Sequence, residues 1–89
     1  MARYRLLTKS GSLYEILKVN GKYYILYKGK KMVISNEFSE IDHILPRELL
    51  GQKVAFIEEV GTKFKINNTA QVVAIYQHKF LRWKLLAKL

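Results

Sequence analysis

This chain has no cysteine, one proline, two histidines and only seven acidic residues among 89. Without cysteine there is neither a disulfide frame nor a thiolate metal site, which agrees with a reducing, cytoplasmic setting. The two histidines, His43 and His78, have no partner at metal-ligand spacing, so no metal and no cofactor are expected. No apolar run approaches the roughly 18–20 residues needed to cross a bilayer. No signal peptide is expected either, because Arg3 and Arg5 are followed by only two leucines before Thr8-Lys9-Ser10-Gly11. The five glycines stand singly, so no glycine-rich phosphate loop exists. Glu58 and Glu59 are adjacent in an extended run and point to opposite faces, which excludes a paired-carboxylate site. Ser10, Ser12, Ser35 and Ser39 lack the context of an activated nucleophile. Glu37, Glu40 and Asp42 lack the regular oxygen spacing of a calcium loop and read as a solvated acidic stretch. The chain is not expected to be an enzyme or to take a small-molecule substrate.

What is abundant is positive charge. Sixteen Lys and Arg give a net charge of +9. Residues 1–31 hold eight basic residues and one acid, residues 32–62 two and six, and residues 63–89 six and none. Basic ends around an acidic middle favour a polyanion on one face, DNA or RNA before a membrane. The plainer reading, charge for solubility alone, stays open at this point.

The strongest local signal lies between Leu13 and Lys31. Two runs of β-formers, LYEILKV and KYYILYK, flank Asn20-Gly21. Asn-Gly suits a type I′ hairpin turn, which needs positive φ at both central residues. Alternation places Tyr14, Ile16 and Lys18 on one face, and Leu13, Glu15, Leu17 and Val19 on the other. In the next run Tyr23, Ile25 and Tyr27 share a face opposite Tyr24 and Leu26. Tyr23 and Tyr27 are read as core and Tyr24 as the exposed ring.

Further strands are expected at Arg3–Thr8, Lys31–Ser35, Lys53–Glu59, Lys63–Ile66 and Thr69–Tyr76, with Asn67-Asn68 as a turn. Asn36–Asp42 and Pro46–Leu50 suit single helical turns, the second ended by Gly51. Six or seven short strands predict a mainly β domain over residues 1–77, an antiparallel meander closed into a small barrel or a two-layer sandwich. The tail, residues 78–89, is read as packed on that domain or on a partner. Its composition predicts a short helix from near Lys79, with an extra strand as the alternative.

Candidate nucleic-acid contacts are Arg3, Arg5, Lys22, Tyr24, Lys28, Lys30, Lys31, Lys63 and Lys65. Lysines neutralise phosphates and tyrosine rings stack on bases. The alternative function is a protein-interaction or oligomerisation module. Its contact would be Phe80, Leu81, Trp83, Leu85 and Leu89, too apolar to stand free in water. A homo-oligomer through this tail is then expected. A membrane role is not, because the tail forms no clean amphipathic face.

YKGKKMVIS, followed by FSEI and later by GQKVAFIEEVGTKF, resembles the strand-turn pattern of the small, basic, SH3-like chromatin proteins of crenarchaea. The likeness covers about half the chain. The family's sheet tryptophan has no counterpart here, and the N-terminal hairpin, the acidic stretch and the Trp-bearing tail are additions. TKSGSLYEI and NNTAQVVAI are also similar to short β-proteins of archaea and their viruses. The first resemblance implies an SH3-like barrel and DNA binding with little sequence preference. The second implies fold and no activity.

Overall fold

The computed structural model describes residues 2–35 and 49–89. Two-residue turns build most of it. Strands β1 (Ala2–Thr8) and β2 (Leu13–Val19) are joined by a loop in which the Gly11 amide donates to Thr8 O. Asn20 and Gly21 then adopt φ of 50° and 78°, the left-handed pair that sequence predicted, and β3 (Lys22–Tyr27) returns against β2. Lys28 and Gly29 repeat that geometry before β4 (Lys30–Ile34). After the segment outside the described residues, β5 (Ala55–Val60) turns at Gly61 into β6 (Lys63–Asn68). The last two strands are β7 (Val72–Lys79) and β8 (Arg82–Lys88).

All pairings are antiparallel, in one sheet of order β6-β5-β4-β3-β2-β1-β7-β8. This order forces curvature. β6 and β7 lie six strand positions apart, about 29 Å in a flat sheet. Only Thr69, Ala70 and Gln71 separate them in sequence, a reach of about 14 Å. The sheet must therefore roll until the end of β6 meets the start of β7. Backbone bonds mark the meeting: Gly51 N to Val72 O, Val72 N to Gln52 O, and Thr69 N to Val54 O.

Rolling buries one face. Leu6, Ile16, Ile25, Val54, Val72 and Ile75 are fully enclosed, with Met32, Ile34, Leu49 and Phe56 completing the core. Tyr23 and Tyr27 pack against it, as their alternation predicts, and the Tyr14 and Tyr27 rings lie 4.5 Å apart.

Three expectations change. The sheet is one open layer with β6 and β8 as unpaired edges, so neither a closed barrel nor a sandwich forms. The corner brings β6 to β7 at one end only, and β8 then adds to the far side of β7. The C-terminal helix is absent and the alternative, an extra strand, is what forms: residues 82–88 are β8, because the outer edge of β7 offers a whole ladder of backbone partners that outweighs a weak helix propensity. No α-helix occurs among the described residues. Asn67 and Asn68 continue β6 opposite Phe56 and Ala55, and the Asn67 amide donates to Glu58 at 2.7 Å. The turn shifts to Thr69–Gln71. The helical turns expected at 36–42 and 46–50 lie outside the described residues, save for buried Leu49 and half-buried Leu50.

Candidate nucleic-acid interface

Strand alternation sends the other half of each strand to the outer face of the roll. There the register aligns Arg3, Leu17, Tyr24, Val33, Ile57 and Ile66 in one row across six strands. A second row runs Arg5, Glu15, Leu26, Lys31. A solvated sheet face normally carries polar residues at these positions. This one carries rings and aliphatics with cations among them, and no described element packs over it.

The cations are set on the rings. Arg5 Cζ lies 4.0 Å from the centre of the Trp83 ring, and Arg3 Cζ lies 5.7 Å from it. Lys31 Nζ stands 4.7 Å over Tyr24. The His78 ring meets Trp83 edge-on at 5.0 Å. Such pairs hold a charge at a defined place on the surface. Arg3 is also tied to Glu15, with Nη2 to Oε1 at 2.6 Å. Arg5, Lys22 and Lys31 have no carboxylate within 4 Å among the described residues.

The nine candidate contacts divide. Arg3, Arg5, Lys22, Tyr24 and Lys31 share the outer face. Lys30, Lys63 and Lys65 belong to the opposite parity, with Lys30 Nζ 3.4 Å from Glu58 Oε1 and Lys65 facing Glu58 across the ladder. Lys28 occupies a turn, beside Tyr27. Of the tail residues, Trp83 and Leu85 join the outer face opposite His78 and Tyr76, Phe80 and Leu81 form the β7–β8 turn, and Leu89 continues past β8.

Trp83 is the residue that sequence reasoning assigned elsewhere. Its tie to Arg5 depends on β8 lying beside β7 and β7 beside β1, a non-local pairing with no local signal. Tyr14 has a displaced pKa. Burial raises it, the neighbouring Tyr27 raises it further, and a hydrogen bond with Ser12 partly opposes both. No cluster of three His, Asp or Glu side chains exists among the described residues, and no helix there is long and apolar enough to cross a membrane.

No family model matches this chain, and neither a curated protein nor a solved structure does.

Proposed function

We propose that the chain binds nucleic acid through the outer face of its sheet, with little sequence preference and without catalysis. The observation that carries this reading is the pairing of cations with rings, Arg5 on Trp83 and Lys31 on Tyr24, on one face that no described element covers. The cations meet phosphates, and the rings offer platforms to unpaired bases. Base edges find few hydrogen-bonding groups there, since Leu17, Leu26, Val33 and Ile57 fill the space between, so one base serves as well as another. DNA and RNA are both ligands of such a surface. The resemblance to basic chromatin proteins points to the same class of partner. A cytoplasmic location goes with the reading.

The test is fluorescence anisotropy with single-stranded and duplex oligonucleotides over a range of salt. Three unpaired outer-face cations predict a slope of log K against log salt near −2 on single strands, from about 0.7 per phosphate neutralised. Absence of binding at about 50 mM salt, or binding indifferent to salt, would sink the reading.

A further inference from the structure

The β7–β8 turn is where local preference and observed geometry disagree most. Phe80 and Leu81 both take left-handed backbone, with φ of 52° and 62°. Asn20 and Gly21 use the same geometry with the residue types that suit it. Bulky side chains are disfavoured there, and these two gain nothing inside the molecule: Phe80 is 87% exposed and Leu81 93%. The turn also projects. The ladder between β1 and β7 ends at Tyr4 and Gln77, whereas that between β7 and β8 runs on to Lys79 and Arg82. Phe80 is three residues past Gln77, about 10 Å along an extended strand.

Positive charge surrounds the tip. Lys79 and Arg82 face each other at its base, and Lys84 follows on the same side of the hairpin. None of them has a carboxylate within 4 Å among the described residues, and residues 63–89 contain no acid. With Phe80 and Trp83 these cations line an open hollow just behind the tip. They alternate with His78 and Trp83, so they lie on the other side of the hairpin from the outer face. As a helix, residues 78–89 have no clean amphipathic face, the ground on which sequence speaks against a membrane role. As a hairpin the same residues separate along its axis instead. Two apolar side chains lead, and the cations follow with the Trp83 indole among them.

We propose that the β7–β8 tip inserts into the surface of an anionic phospholipid bilayer. Phe80 and Leu81 enter the boundary between headgroups and acyl chains to a depth of roughly 5–10 Å, which the free length of the hairpin matches. Lys79, Arg82 and Lys84 stay among the headgroup phosphates, and their aliphatic stems follow the tip inward. Trp83, apolar in body and polar at its N–H, suits the boundary itself. Shape and charge together select this occupant. A convex tip exposed on all sides needs surroundings that close round it, and a fluid bilayer does so without a preformed pocket. A nucleic-acid strand on the outer face leaves the tip and its cations unused, since they lie on the other side of the hairpin. Two side chains make the contact peripheral and reversible.

Flotation of the full chain with vesicles tests this, with Trp83, the chain's one tryptophan, as an internal reporter. The wild type is expected to float with phosphatidylcholine vesicles that contain phosphatidylserine, and its Trp83 emission to move to shorter wavelength. Phosphatidylcholine alone should bind about tenfold more weakly or less, because each cation near an anionic surface contributes roughly a factor of five. The double variant Phe80→Asn, Leu81→Gly restores the residues the turn prefers, so it should fold at least as stably while vesicle affinity falls by about tenfold or more. Lys79→Gln combined with Lys84→Gln leaves the tip intact and should cost a similar factor. The tip variant should keep the wild-type affinity for oligonucleotides, which separates this test from that of the outer face. A wild type that stays in the aqueous phase, a tip variant that floats as the wild type does, or equal flotation with both kinds of vesicle would each overturn the proposal. So would a wild type that ignores vesicles while the tip variant loses oligonucleotide affinity, which would make nucleic acid the occupant.

Discussion

Thr69→Val tests the corner that rolls the sheet. Thr69 is 3% exposed, at the point where β6 hands the chain to β7. Its hydroxyl accepts from the Val54 amide at 3.0 Å and donates to Ala70 O at 2.8 Å, while its own amide donates to Val54 O at 2.9 Å. Val54 is completely enclosed, so no water can replace the lost acceptor. Valine keeps the shape and the β-branch and removes only the hydroxyl. An unsatisfied buried donor costs about 1–3 kcal/mol, and the added methyl returns a part of that. A net loss of about 2 kcal/mol would lower Tm by roughly 8–16 °C in a domain of this size. Thr69→Ser makes the opposite cut: both hydrogen bonds stay, one methyl goes, and the cost is about 0.8 kcal/mol. Urea unfolding should rank wild type, then Ser, then Val, with unchanged m-values. A Val variant as stable as the Ser variant would show that the hydroxyl does not hold the corner.

On the outer face, Tyr24→Ala and Trp83→Ala should each weaken oligonucleotide binding by about 1–3 kcal/mol and leave the salt slope alone. Lys31→Gln should instead flatten that slope by about 0.7, while Lys63→Gln, of opposite parity, changes neither quantity in an anisotropy titration. Gly21→Ala isolates backbone strain, because a Cβ there meets nothing within 4 Å at φ +78°; chemical denaturation should show a loss of about 1 kcal/mol. Tyr14 gives an alkaline signature. Its pKa is raised above 10.0 by burial and by Tyr27, so the folded state holds the phenol proton more tightly than the unfolded chain does. The stability linked to that proton is complete below pH 10 and is lost as pH rises through the native pKa. Urea midpoints from neutral pH into this range should fall less for Tyr14→Phe than for the wild type. Equal falls would remove Tyr14 as the source.

Much of the hairpin was legible because its signals are local. Asn20-Gly21 has one favoured turn geometry, and period-2 alternation separates Tyr23 and Tyr27 from Tyr24 once the turn is placed. The tail was not legible for a matching reason. Leu, Lys and Arg favour helix only weakly, and the deciding partner, the free edge of β7, is created by the fold. A bulge at Leu86 also breaks the strand alternation: Tyr76 faces Leu85 and Ile75 faces Ala87, which turns Leu86 towards the core. Phe80-Leu81 carries no turn signal at all, because neither residue prefers φ above zero. The grouping of Arg5 with Trp83 follows from those same long-range pairings. The strand periods did contain the outer face, since both alternating sets of β2 and β3 are apolar or aromatic. What the sequence lacked was the register that sets Leu17 and Tyr24 in one row with Arg3, Val33, Ile57 and Ile66.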